Sequence, residues 1–225
     1  MENYGKCIYE DALKYCERAL FSESGKDALE FLKTNYELTD EIIKEYRLGF
    51  SKNLEELSTY MQEIGYSRDE LKKYSLLFDN ERSNSMVTFG NRIIYPYRDE
   101  LGNIAALGGR KIDMYGEGAH YQTLSSISVP MFFGLYEAIK NEQKRVALHD
   151  IPLQVPRRLA TNQGYGISLR GMVITREYAE IIAKYFNKID IVANDGQIKS
   201  SNELLRHTEK LLKDVGLITR IIDFN

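Results

Sequence analysis

From residue 145 onward the chain alternates short apolar runs with amphipathic segments, and this alternation limits the fold more than any other feature. Strand-like runs and helix-like segments follow one another in the order 146–149, 156–163, 165–169, 176–187, 188–194, 200–216 and 217–224. Strands that alternate with helices at this spacing form a parallel sheet covered by helices. Because ligands of such sheets bind beyond the carboxyl ends of the strands, a binding site is predicted at residues 149–150, 168–170 and 194–196.

The part before residue 145 is different, because its apolar residues mostly recur at helical spacing. Helices are predicted over 11–21, 26–36, 39–49, 54–65 and 132–141, with Thr39 as an N-cap and Gly49 as a helix end. A capping box at residues 67–70 predicts the start of one more short helix. Between residues 91 and 112, two apolar runs flank a polar turn and predict a β-hairpin. We therefore expect an α+β N-terminal subdomain with a basic hairpin at residues 1–142, followed by an α/β domain with a parallel sheet at residues 143–225.

Composition describes an ordinary globular chain. It has 225 residues, of which 43% are hydrophobic and 28% charged. No stretch approaches the ~20 apolar residues that a membrane span requires, and the first residues have no apolar core of a secretory signal. A cytoplasmic location and no membrane partner are expected. Cys7 and Cys16 lie nine residues apart without nearby Cys or His partners, so they are predicted to be reduced thiols rather than zinc ligands.

The charge is distributed unevenly along the chain, although the net charge is only −3. Residues 1–91 hold 12 Lys and Arg against 18 Asp and Glu, whereas residues 140–225 hold 14 against 10. An asymmetry of this kind can mark a face that meets an anionic partner, although exposed basic side chains are more often simply solvated.

The predicted hairpin carries a basic set that could meet nucleic acid. It consists of Arg92, Arg98, Arg110 and Lys111. Arginines on a twisted hairpin can project from one face and meet phosphates along a strand, and the paired glycines 108–109 would let a ligand approach the backbone. The alternative is a plain hairpin with solvated arginines. The nearby tyrosines 95, 97 and 121 could stack on unpaired bases or could be half-buried strand residues.

An ordered set of short motifs resembles the catalytic core of bacterial DnaG-type primases. The resemblance runs from about residue 11 to the end of the chain, and it rests on LTD at 38–40, LGF at 48–50, RIIYPYRD at 92–99, GGR at 108–110, HYQTLS at 120–125 and FFGLYEA at 132–138. It implies a helical subdomain with a basic hairpin, followed by a toprim domain. Such primases copy single-stranded DNA into a short RNA primer with divalent metal ions, Mg²⁺ or Mn²⁺, held by toprim carboxylates. The family's template-contacting arginines correspond to Arg92, Arg98 and Arg110; Lys111 is added from its position alone.

The sequence departs from the family at the positions that would hold the metal. The family's first acid, a glutamate at the end of the first toprim strand, corresponds to His149, and imidazole is a poor ligand for Mg²⁺. Asp150 is offset by one residue and is expected to point to the other face. Asp195 keeps one carboxylate of the family's Asp-Gly-Asp, but Gln197 replaces the second. The candidates for catalysis are thus Asp195, Asp150 and His149, with Asp195 as the metal ligand.

Three functional hypotheses follow. The first is a degenerate primase-like module of DNA replication, without the zinc-binding module and helicase-binding tail that usually flank the core. It binds single-stranded DNA or a replication protein such as a helicase, with lost or strongly reduced primer synthesis. The second is an active DNA primase with an altered metal site, built from Asp150, Asp195 and Asp190. The third is a structural protein that binds only protein.

Overall fold

The computed structural model describes residues 3–77, 90–113, 119–124, 130–169, 173–193 and 202–223. The helices are α1 (Asn3–Leu20), α2 (Lys26–Tyr36), α3 (Asp40–Glu45), α4 (Leu54–Glu63), α5 (Arg68–Lys73), α6 (Leu135–Lys140), α7 (Gln154–Ala160), α8 (Arg176–Tyr185) and α9 (Asn202–Asp214). The strands are β1 (Gly49–Ser51), β2 (Arg92–Arg98), β3 (Ile104–Lys111), β4 (Tyr121–Leu124), β5 (Phe132–Phe133), β6 (Arg145–His149), β7 (Gly166–Leu169), β8 (Lys188–Ala193) and β9 (Ile218–Asp223). No helix among these described residues is long and apolar enough to span a bilayer.

The chain divides into two compact units. The first comprises Met1–Asn35, Tyr46–Tyr97 and Asn103–Val129, and the second comprises Tyr36–Glu45, Arg98–Gly102 and Pro130–Asn225. This division differs from a single cut after residue 142. The reason is that β5 pairs with β7 and α6 packs against β7, so both elements belong with the C-terminal strands rather than with the hairpin.

In the first unit, α1 packs across a small sheet. The order β4-β3-β2 is extended by β1, which pairs antiparallel with β2 from Gly49↔Ile94 to Ser51↔Arg92. A side chain at Gly49 would bring its Cβ within 2.6 Å of the Cys16 Cβ, so glycine allows α1 and β1 to approach closely. Arg47 fixes the same junction by donating to the carboxylates of Glu10 and Glu17 at 2.8–2.9 Å.

The second unit is built on the predicted parallel strands. Their order is β5-β7-β6-β8-β9, with β7, β6, β8 and β9 parallel and β5 antiparallel to β7. One face of this sheet forms the main core with α6, α8 and α9, through Leu148, Ile167, Ile189, Ile182 and Leu212 among others. With one antiparallel strand beside four parallel ones, this sheet is mixed, and the fold is of the mixed α/β class.

The structure confirms most of the elements predicted from local sequence signals, but not the helix boundaries predicted near Gly134 and Gly49. Thr39 caps α3, since the Ile42 amide donates to its Oγ1 at 3.4 Å, and Ser67 and Glu70 form the capping box of α5. The helix predicted over 132–141 is wrong at its start, because Gly134 takes a left-handed φ of 86° and separates β5 from α6. Gly49 does not end a helix either: α3 stops at Glu45 and Gly49 begins β1.

Candidate nucleic-acid interface and strand-end pocket

Arg92 is fully buried at the start of β2. Its guanidinium donates to the carbonyl oxygens of Ala119 and His120 at 2.7 and 2.9 Å, and more weakly to Gly109 at 3.4 Å. Since burial lowers the pKa of this arginine and the guanidinium still stays charged at neutral pH, backbone carbonyls are suitable acceptors for it. In this structure Arg92 holds the segment before β4 against β3.

Arg98, the last residue of β2, lies in a buried ion pair of the second unit. Its Nη1 is 2.8 Å from the Glu137 Oε1, both side chains are less than a tenth exposed, and its guanidinium lies 5.4 Å from the centre of the Tyr136 ring. Burial raises the pKa of Glu137, although the charge of Arg98 opposes the shift. Arg98 thus joins the hairpin end to α6.

Arg110 and Lys111 end β3. Arg110 is 8% exposed, lies over the Phe31 ring at 4.5 Å and donates to the Lys111 carbonyl at 2.8 Å. Lys111 is only half-buried, and its amide donates to the His120 carbonyl at 2.9 Å. The four predicted basic residues therefore do not form one exposed stripe: three guanidinium groups lie inside the protein, and contact with phosphate stays a prediction.

Packing explains one of the paired glycines of β3, the one at residue 108. A Cβ on Gly108 would overlap the ring of Tyr95, which is buried and packs edge-on against Tyr97 at 5.6 Å between ring centres. The absence of a side chain at this position therefore makes room for a tyrosine of the neighbouring strand. The two tyrosines are core residues here rather than exposed platforms for bases.

A small pocket opens at the carboxyl ends of the parallel strands, where the alternation of strands and helices predicts a ligand site. His149, the last residue of β6, is 1% exposed and lies in register with the buried Ser168 of β7. Asp150 follows at intermediate exposure. The lining is mostly aliphatic: Leu148, His149, Asp150, Leu169, Ile174, Ile191, Val192, Leu204, Leu205 and Thr208.

This lining does not fit a site for two magnesium ions. Magnesium requires several oxygen ligands in octahedral geometry, and the pocket offers one carboxylate, Asp150, among aliphatic side chains and a histidine. Within the ranges that the structure describes, no three His, Cys, Asp or Glu side chains are grouped so that they could hold a metal ion. Asp195, the predicted metal ligand, lies outside the described residues, as do Gly196 and Gln197.

Asp190 has a role that sequence reasoning missed. Its carboxylate accepts hydrogen bonds from Arg145 at 2.7 and 2.9 Å and from Arg220 at 2.6 and 3.2 Å. Both oxygens are thus engaged by arginines, which makes Asp190 unsuited to the altered metal site considered above. The alternation of Asp190 with isoleucines in a strand indicates a buried acid, but the sequence does not identify the residues that contact it.

Solved structures of primases share this fold. The catalytic core of the Escherichia coli primase superposes with a TM-score of 0.79 at 16% identity, over 98% of this chain and 72% of that one. A DnaG primase catalytic domain bound to single-stranded DNA gives a TM-score of 0.78 at 17% identity, over 98% and 70%. The fold is therefore that of the DnaG catalytic core.

Sequence comparison assigns the family. The profile of the DNA primase catalytic core, N-terminal domain, matches residues 15–131, and the chain belongs to this family. DNA primase of Borreliella burgdorferi is 28% identical over 186 residues, and that of Haemophilus influenzae is 27% identical over 184. Both alignments cover 78% of this chain but only 35% and 30% of the relatives, so the chain spans about a third of their length.

Proposed function

We propose that this chain is a primase-like protein of DNA replication that binds single-stranded DNA or a replication partner and makes little or no primer. The observation that carries the proposal is His149. This residue occupies the strand end that the family resemblance gives to a metal-binding glutamate, and it is buried beside a pocket lined by Leu, Ile and Val. In this proposal the second unit is a toprim-like domain whose metal site is degenerate, and Mg²⁺ or Mn²⁺ has no role in binding.

The DNA-binding part of the proposal is supported by the fold and by the hairpin. A structural neighbour of the same fold is a DnaG domain bound to single-stranded DNA. Lys111 is the basic residue of the hairpin with the most accessible position, so we assign it to direct phosphate contact. Arg92 and Arg98 act by positioning, because their guanidinium groups hold β2 to its neighbours.

A replication protein, such as a helicase, is the alternative partner in this proposal, and the cytoplasm is where it would act. If DNA binding is absent, a protein partner would still explain why the primase fold is kept without its metal ligands. Pull-down with a purified replicative helicase then separates this version from the DNA version.

A second candidate function is an active primase with an altered metal site. The specific observation in its favour is Asp150, whose carboxylate lies at the strand-end pocket where the fold class places ligands. That site would need Asp195 as a further carboxylate. The second function predicts primer synthesis that depends on both residues.

The DNA version is tested by titrating labelled single-stranded DNA at several salt concentrations. We expect binding that weakens steeply with salt, because phosphate contacts release counterions. Lys111→Gln should lower the slope of log affinity against log salt by about 0.7, the value for one contact on a single strand. Lys14→Gln, an exposed lysine of α1, is the matched control and should not change it. Undetectable binding at low salt would show that the proposed binding of single-stranded DNA is wrong.

A further inference from the structure

A basic cluster surrounds Asp190 on the sheet of the second unit, away from the hairpin in sequence. Arg145 and Arg220 each turn their Nε and one Nη toward the Asp190 carboxylate, at 2.6–3.2 Å. The carboxylate is 4% exposed, whereas the arginine side chains are 44% and 59% exposed. Each guanidinium therefore binds Asp190 through Nε and one Nη, while about half of each arginine side chain is exposed to solvent.

The strand register shows that these residues share a face. Asp190 is paired with Ala147 of β6 and Arg220 of β9, and Arg145 is paired with Lys188. Residues in register, and residues two apart on a strand, point to the same side of a sheet. The exposed Lys188 thus lies on the same face as Arg145 and Arg220. The alternate residues, Ile189 and Ile191, face the core formed with α8 and α9.

Arg158 of α7 adds a fourth cation at the border of this face. Burial lowers the pKa of Arg158, the charge of Asp190 opposes that shift, and the charges of Arg145 and Arg220 add to it. These couplings place all four groups within electrostatic reach of one another. Two arginines thus hold the single carboxylate, with Lys188 on the same face and Arg158 at its border. The acids of β9 and α9 that the register places nearby, Asp223 and Glu209, belong to the opposite side of the sheet.

We propose that this face, formed by Arg145, Lys188, Arg220 and Arg158, is a second contact for the phosphate backbone of single-stranded DNA. The inference rests on the proposed function and deepens it. Arg145 and Arg220 contact Asp190 through Nε and Nη2, and the planar guanidinium carries further N–H donors that suit phosphate oxygens. The cations are spread over three strands and one helix rather than gathered in a pocket, which favours an extended polyanion over a small anion. An acidic peptide is the competing occupant.

The test compares two variants that share a neutral residue at position 190. Asp190→Asn keeps both arginines and removes the carboxylate that competes for them. The combined replacement Arg145→Gln, Asp190→Asn and Arg220→Gln removes both positive charges without leaving a buried, unpaired carboxylate. Their affinities for labelled single-stranded DNA are measured against salt concentration, and circular dichroism checks that both are folded. Arg176→Gln on α8, a helix that packs on the opposite face, is the control.

We expect Asp190→Asn to bind DNA more tightly than the parent and the combined variant more weakly. The salt slopes of the two should differ by about 1.4, since each of two phosphate contacts contributes about 0.7 on a single strand. A residue with only a structural role would not raise affinity in Asp190→Asn. Equal slopes in the two variants would overturn the proposal.

The same titrations separate this inference from the proposed function. If Lys111→Gln weakens binding and the combined variant does not, the hairpin contact stands and the second contact is wrong. If the parent does not bind DNA at all, the DNA version of the function fails and this assignment fails with it. If a poly-glutamate peptide binds the parent but not the combined variant, while DNA affinity is unchanged, the face takes acidic protein and the assignment to DNA is overturned.

Discussion

Arg92 is a charged side chain inside the protein, and its guanidinium replaces water as the partner of two backbone carbonyls. Those carbonyls belong to Ala119 and His120, just before β4, and the His120 carbonyl also accepts the Lys111 amide. Hydrogen bonds from a charged group are stronger than neutral ones, so the arginine stabilises the position of residues 119–120 beside β2 and β3. The sequence suggested that Arg92 contacts DNA, but in the structure its guanidinium donates hydrogen bonds to backbone carbonyls.

Replacing Arg92 by Ala should lower the free energy of unfolding by about 2 kcal/mol or more, because the hydrogen bonds from a buried charged group to backbone carbonyls are lost. Urea unfolding followed by circular dichroism measures the change. Arg176→Ala, at a side chain that is 73% exposed, should stay within about 0.5 kcal/mol of the parent. Equal effects of the two substitutions would show that Arg92 is not a structural residue.

Asp190 makes the free energy of unfolding depend on pH in the acid range. Burial by itself would raise the pKa of this carboxyl, but hydrogen bonds from Arg145 and Arg220 outweigh burial and lower the pKa. A carboxylate with a lowered folded-state pKa contributes stability above its unfolded pKa, about 3.9, and loses that contribution as the pH falls through the folded-state value. The difference in unfolding free energy between the parent and Asp190→Asn should be constant from pH 7 to 5 and shrink below about pH 4. A difference that stays constant down to pH 2.5 would contradict the ion pairs.

Strands β2 and β3 fit together because a glycine of one faces a tyrosine of the other. Gly108 leaves the space that the ring of Tyr95 fills, and Tyr95 is fully buried. Aromatic side chains bury a large apolar area, so this pairing anchors the hairpin in the first unit. Packing therefore explains at least one residue of the GGR motif, Gly108.

Gly108→Ala should lower the unfolding free energy by about 1–3 kcal/mol, the usual range for overpacking a core. A double-mutant cycle identifies the cause. In a Tyr95→Leu background the smaller side chain frees space, so the alanine should cost less there than in the parent. The same cost in both backgrounds would mean that the ring of Tyr95 is not what excludes a side chain at residue 108.

The elements that could be predicted from sequence are those with a local cause. The helix at 26–36 follows from apolar spacing and the start of α5 from the capping box of Ser67 and Glu70, and the structure has both. β5 could not be predicted, because two residues are too few to show a period and Phe132 pairs with Arg98, more than thirty residues earlier. The burial of Arg92 and Arg98 could not be predicted for the same reason. Composition assigns Arg to the surface, whereas the carbonyls that bind Arg92 and the Glu137 carboxylate that binds Arg98 come from distant segments.

At the scale of the whole molecule, a primase-core fold is combined with a strand-end pocket that is mostly aliphatic. The parallel order of β7, β6, β8 and β9 brings the strand ends together as the alternation predicts, and a pocket lies there. At His149 the resemblance predicts a chemistry different from that of the family, and this prediction comes from the sequence alone. The electrostatic cluster at Asp190 could not be predicted, because it depends on which strands are neighbours.

Template-directed incorporation of ribonucleotides tests the central claim most directly. The parent and Asp195→Asn are assayed on single-stranded DNA with Mg²⁺ and with Mn²⁺, at protein concentrations that saturate the DNA. Losing a metal site removes several kcal/mol of transition-state stabilisation, and about 1.4 kcal/mol is tenfold in rate. We expect the same background incorporation in both proteins. Primer synthesis by the parent that disappears in Asp195→Asn would contradict it.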